Sequence, residues 1–138
     1  MGITENLKEQ HKKIFKLISR ISSLLNSDEL SKDPSQVCKL LSDLADDLNY
    51  HLTLEDHSFY PALFNHPDKN IIAAATKYVD EVKGLKESFE NYMSKWNSPE
   101  TVQNNPDDFI NETMDLFEAI SNRIYKEDNV LYPLVENI

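Results

Sequence analysis

His51-Leu52-Thr53-Leu54-Glu55-Asp56-His57-Ser58-Phe59-Tyr60-Pro61 is echoed 72 residues later by Arg123-Ile124-Tyr125-Lys126-Glu127-Asp128-Asn129-Val130-Leu131-Tyr132-Pro133. The two stretches align without a gap: a His or Arg, a Glu four residues on, then Asp, an apolar residue, Tyr and Pro. Residues four apart on an α-helix lie about 6 Å apart along the axis and about 40° apart around it. His51 and Glu55 therefore share a helix face, which suits two ligands of one metal ion. Both stretches read as site-bearing helix ends, and the second copy carries Arg123 where the first carries His51.

Upstream of each stretch runs an apolar stripe at helical spacing. In the first copy it reads Val37, Leu41, Leu44, Leu48, His51, Glu55, Phe59. In the second it reads Phe109, Thr113, Leu116, Ile120, Arg123, Glu127, then Leu131 or Val130, and Leu134. Asp33-Pro34 and Asn105-Pro106 mark the two openings, each a capping residue followed by a proline that tolerates the first turn.

Two further stripes complete the chain. From about Thr4 to Asn26 the apolar positions are Leu7, Ile14, Ile18, Ile21 and Leu25, with His11 on the same stripe. From near Pro67-Asp68 or Asn70 they are Ile72, Ala75, Val79, Val82, Phe89, Met93 and Trp96, with Gly84 and Lys86 as imperfections. Long amphipathic helices joined by short connections pack as antiparallel neighbours, which predicts an all-α, up-down-up-down four-helix bundle forming a single domain over residues 1–138. Aligning the first helix with the third at an offset of 71 sets Val82 opposite His11. The bundle then consists of two helical hairpins related by a pseudo-twofold axis, one offering His11, His51 and Glu55, the other Val82, Arg123 and Glu127.

Composition narrows the partners. With 24 acidic and 14 basic residues the chain carries a net charge of -10, which repels nucleic acid and anionic lipid. No run of about 18 apolar residues and no leader-like segment is present, so a cytoplasmic protein that neither spans a membrane nor binds nucleic acid is expected. The lone Cys38 cannot form an internal disulfide and reads as a core or boundary residue. His57, about 200° around the helix from Glu55, and His66, in a connection, read as solvated. Tyr60-Pro61 and Tyr132-Pro133 read as helix ends or kinks with a capping ring. Leu63, Phe64 and Phe117 fit either the core or a subunit contact, and oligomeric state stays open.

The lone His11 on helix one, His51-x-x-x-Glu55 on helix two and Glu127-Asp128-x-x-Leu131-Tyr132-Pro133 on helix four resemble the hemerythrin-like, or HHE cation-binding, domain over essentially the whole chain. The pattern is most similar to the pseudo-symmetric branch containing bacterial di-iron proteins that repair iron centres. There each half supplies one His and then a His-x-x-x-Glu, and two carboxylates bridge the metals. The resemblance implies that His11 and His51 bind the first metal and that Glu55 and Glu127 are the carboxylates. The second metal's histidines fall on Val82 and Arg123, neither of which can ligate.

Two imidazoles and two carboxylates suffice for one ion of iron, zinc or manganese, with Arg123 as the counter-charge replacing the second metal. Three states fit these residues: one ion per chain, a metal-free salt-bridged layer, or two ions with Glu81 or Asp80 as substitute ligands. The corresponding roles are a metal-binding protein that senses or handles a small ligand such as oxygen or nitric oxide, a metal-free interaction or regulatory module, and a di-iron oxygen-binding or redox protein. The missing second-half ligands argue against the last, and with it against an enzyme of oxygen activation.

Overall fold

The structure, a computed structural model, describes residues 3–82 and 84–136, without the side chains of Glu81 and Val82. Four long helical segments form the bundle. The first is α1 (Ile3–Ser22); a short α2 (Ser27–Lys32) follows. The second joins α3 (Ser35–Leu54), a π-helical turn (Glu55–Phe59) and α4 (Tyr60–Phe64). The third is α5 (Lys69–Val82) and α6 (Leu85–Lys95), followed by a short α7 (Pro99–Asn104). The fourth joins α8 (Pro106–Lys126), a second π-helical turn (Glu127–Leu131) and α9 (Tyr132–Glu136). α1 packs on α3 and α8, α4 on α5, and α6 on α8, so each segment touches its two neighbours around the ring. The fold is the all-α bundle expected from the stripes.

The connections hold more structure than the sequence suggested. The first helix stops at Ser22 rather than near Asn26, because Asn26 starts the next helix by accepting from the Glu29 amide at 3.1 Å. Ser98 caps α7 in the same way, accepting from the Thr101 amide at 3.3 Å ahead of Pro99. α2 and α7 pack against each other, and Gln103 Nε2 donates to the Ser31 carbonyl at 2.9 Å. They start at residues 27 and 99, so the offset of 72 that relates the site-bearing stretches relates these helices too.

The third helix departs most from expectation. It breaks at Gly84, whose φ of 102° lies in the left-handed region. The break shifts the buried register: Ile71 and Ala75 point inward before it, and Leu85, Phe89, Tyr92 and Trp96 after it, while Ile72, Val79 and Met93 are half-buried. Among the described residues, no atom other than those of its chain neighbours lies within 4 Å of a Cβ built on Gly84, so Gly84→Ala should lose only the backbone term, about 1–2 kcal/mol by denaturant unfolding. An unchanged stability would show that the left-handed turn is not held in solution.

Two apolar clusters divide the interior. The larger gathers Ile14, Ile18 and Ile21 with Leu41, Leu44, Leu48 and Leu52, and with Phe89, Trp96, Phe109, Phe117, Ile120 and Ile124. The smaller holds Leu7, Phe59, Tyr60, Leu63, Ile71, Ala75, Leu131 and Tyr132. Leu63 and Phe117 are thus core, whereas Phe64 is 39% exposed. Cys38 is half-buried against the larger cluster, where burial pushes its thiol up. Along the stripes, the residues falling between the clusters are His11, His51, Glu55, Arg123 and Glu127, all buried. Among the described residues no helix is long and apolar enough to cross a membrane.

Candidate metal centre

Each side chain reaches this layer from its place on an apolar stripe. His11 lies between Leu7 and Ile14 on α1; His51 and Arg123 sit in the last turns of α3 and α8. Glu55 and Glu127 open the two π-helical turns. Those turns have a local cause. Pro61 and Pro133 lack an amide proton and would crowd the carbonyl four residues back in a continuous α-helix. Closing one turn with a five-residue bond instead, from the Tyr60 amide to the Glu55 carbonyl and from the Tyr132 amide to the Glu127 carbonyl, lets both helices run on. Of the two outcomes expected, an end or a kink, the prolines do not end their helices; the chain runs on through a locally widened turn. The widened turn also swings Tyr60 and Tyr132 onto the face that carries the glutamates.

Four side chains converge. His11 Nε2 lies 3.1 Å from His51 Nε2 and 3.0 Å from Glu127 Oε1. His51 Nε2 lies 3.1 Å from Glu55 Oε1 and 3.5 Å from Glu127 Oε1. All four potential ligand atoms fall within 4.8 Å of one another. Donors bound at about 2.1 Å to one ion are about 3.0 Å apart at right angles and about 3.4 Å apart in a tetrahedron. The four shorter separations match those edges.

The outer ring nitrogens fix the tautomers. His11 Nδ1 lies 2.9 Å from Asp128 Oδ1, and His51 Nδ1 lies 2.7 Å from Gln10 Oε1. Both oxygens accept, so both Nδ1 atoms donate, and in neutral rings both Nε2 atoms carry lone pairs. Two lone pairs facing each other across 3.1 Å, beside two carboxylates, require a positive charge between them. A proton can supply it, and so can a metal ion. Imidazoles held through Nδ1–H by a carboxylate or amide oxygen are the usual outer support of metal-ligating histidines.

Arg123 closes the layer on its other side. Its Nη2 donates to Glu55 Oε1 at 3.0 Å and its Nε to Glu127 Oε2 at 3.4 Å. Tyr60 donates to Glu127 Oε2 at 3.0 Å, and Tyr132 donates to Glu55 Oε2 at 2.9 Å while stacking on the His11 ring. Among the described residues no buried side-chain N or O lacks a partner.

Titration follows from this crowding. Burial alone would depress His51, but hydrogen bonds and charge from Glu127 and Glu55 override it and hold the ring up to about 9. Burial, then the hydrogen bond and charge of Glu127, push Glu55 up to about 7. Burial also opposes ionisation of Glu127, yet hydrogen bonds with Glu55, His11 and His51 and the Arg123 charge hold it well below the usual carboxylate range. Burial first, and the two carboxylates second, raise both phenols, so Tyr60 and Tyr132 stay protonated.

The structure brings His11, His51, Glu55 and Glu127 together and sets Arg123 against both carboxylates. The side chains of Val82 and Glu81, the expected symmetry mate of His11 and one expected substitute ligand, lie outside the described residues. Asp80, the other substitute, is exposed and is not part of the converging group. His57 is exposed, and His66 is half-buried, its Nδ1 accepting from the Asp68 amide at 3.0 Å. The sequence reading missed Gln10, Asp128 and both tyrosine hydroxyls. Asp128, Tyr60 and Tyr132 had a signal, since all three positions recur in the repeat; Gln10 had none.

An all-α bundle with a buried layer of two His and two Glu, braced from outside, carries a side-chain group that could hold a metal cation between its helices. The family model of the hemerythrin HHE cation-binding domain matches residues 2–135, and the chain belongs to that family. No curated protein and no solved structure matches it significantly.

Proposed function

We propose that this chain holds one transition-metal ion per molecule on His11, His51, Glu55 and Glu127, iron first and zinc or manganese as alternatives. Arg123 takes the place of a second cation. The role we assign is to bind or sense a small ligand such as oxygen or nitric oxide, or a redox state, without catalysis of its own. The observation that carries the reading is the pair of Nε2 atoms 3.1 Å apart, each ring committed through Nδ1 to an outer acceptor. The net charge of -10 disfavours nucleic acid and anionic membrane as partners. The ligand pattern supports reading the chain as nearest the pseudo-symmetric branch that repairs iron centres, with the second half-site replaced.

A second reading has its own observation. Glu55, Glu127, Arg123 and a protonated His51 sum to zero charge, with every contact made inside the layer. Such a layer can persist without an ion, and the bundle would then serve as an interaction or regulatory module.

Outer-shell variants separate the two. Gln10→Ala and Asp128→Ala each free one ligating imidazole, and each should weaken zinc or ferrous iron binding about 10–100-fold in a competition titration. Because His51 holds its proton up to about 9 and Glu55 is pushed up to about 7, uptake near neutral pH should release between one and two protons per ion, and affinity should rise with pH. Metal binding unaffected by either variant would refute the proposed ligand set. No binding in the wild type would leave the salt-bridged module.

A further inference from the structure

On the Arg123 side of the polar layer a cavity of about 400 Å³ opens beside α4 and the break between α5 and α6. None of His11, His51, Glu55 or Glu127 lines it. Its buried lining is Arg123 and Tyr60; Phe64 and Val79 give it apolar walls; Lys86 and Asp56 are exposed at its mouth. Tyr60 turns its hydroxyl away, onto Glu127, and Arg123 Cζ lies 5.8 Å from the Tyr60 ring centroid. Of the five N–H groups on the guanidinium, two are aimed at Glu55 and Glu127.

Charge and volume select the occupant. Among the described residues the charged lining is Lys86 and Asp56 at the mouth and Arg123, already paired with Glu55 and Glu127, so its donors suit a monoanion at most; a dianion such as phosphate would face Asp56 and the glutamates behind Arg123. An inorganic monoanion would fill little of the space, which equals more than ten waters at about 30 Å³ each, and would leave the apolar walls wet. Phe64, one of the few large apolar side chains exposed on the described surface, would gain a partner. We propose that this cavity binds a small organic monocarboxylate, its charged end on Arg123 and Lys86 and its apolar body against Phe64 and Val79.

Where the one-ion reading of the layer holds, on which this coupling alone rests, a divalent ion with Glu55, Glu127 and Arg123 sums to +1. The carboxylate should then bind about tenfold tighter to loaded protein, as expected for one extra charge about 10 Å away at an effective dielectric of about 20.

The test is a titration of benzoate into isotopically labelled full-length protein, metal-free and zinc-loaded, followed by amide resonances, with benzamide and inorganic phosphate as controls. Benzoate should shift Gly84 and Lys86 saturably, with benzamide and phosphate at least tenfold weaker. Val79→Trp, which fills the cavity, should abolish the effect without altering zinc uptake, and Lys86→Ala should weaken it several-fold in a fully folded protein. Absence of a saturable shift, equal binding of benzamide, or unchanged binding in both variants would overturn the proposal. Benzoate binding to a chain that takes up neither zinc nor ferrous iron would uphold the cavity site and refute the one-ion reading; zinc uptake without benzoate binding would do the reverse.

Discussion

Arg123→Met should destabilise the metal-free protein by about 3–5 kcal/mol, the usual loss when one partner is removed from a buried ion pair. Arg123 is 8% exposed and bonds both glutamates, so its loss removes their one permanent cation within the layer and leaves a protonated His51 and neutral donors such as Tyr60 and Tyr132. Met keeps most of the volume, so the loss reports charge rather than a cavity. Lys16→Ala, on the exposed face of α1, should stay within about 0.5 kcal/mol of wild type. Metal binding should change in the opposite sense. With a divalent ion the layer sums to +1 in the wild type and to zero in the variant, so Arg123→Met should bind zinc more tightly while being less stable without it. Denaturant unfolding with and without zinc checks both signs. A variant as stable as Lys16→Ala, or one that binds zinc more weakly, would remove Arg123 from the role of replacement cation.

The second large effect restores the repeat. Val82→His together with Arg123→His gives the second half the same pair of imidazoles as the first, and iron capacity should rise from about one toward two ions per chain. The offset of 72 also carries Asp128, which holds the His11 ring, onto Asp56, so the outer carboxylate for an imidazole at position 82 is already in the chain. Arg123→His alone should stay near one ion, because the second metal would still lack a donor on the third helix. Elemental analysis of reconstituted protein distinguishes the two outcomes. A double variant that still takes up one ion would show that the pseudo-twofold relation does not extend to ligand positions.

How much of this was legible in the sequence can be argued residue by residue. The stripes ending in His51-Glu55 and Arg123-Glu127 gave the bundle and the convergence of His11, His51, Glu55 and Glu127, because buried polar groups at helical spacing must find one another in the core. The repeat also placed Arg123 at a carboxylate pair. The π-helical turns were not legible as such. Their trace was a proline six residues after each glutamate, which reads equally as a helix end, and only packing decides between a stop and a widened turn. Misreading the prolines put Tyr60 and Tyr132 on the rim, whereas their hydroxyls bond the carboxylates. The break at Gly84 was visible as an imperfection, but the register shift it causes was not, since a left-handed residue rotates everything after it. Gln10 was invisible for another reason: an exposed-looking amide next to His11 becomes an outer support only when α1 and α3 meet.

The central claim is one ion on His11, His51, Glu55 and Glu127, and its most direct test is the metal content of protein purified without chelator and then offered ferrous iron and zinc in turn. The expected result is about one ion per chain, lost in His51→Ala and in Glu127→Gln while circular dichroism stays helical. Two ions per chain with an oxo-bridged di-ferric spectrum, or no ion retained from either metal, would contradict it.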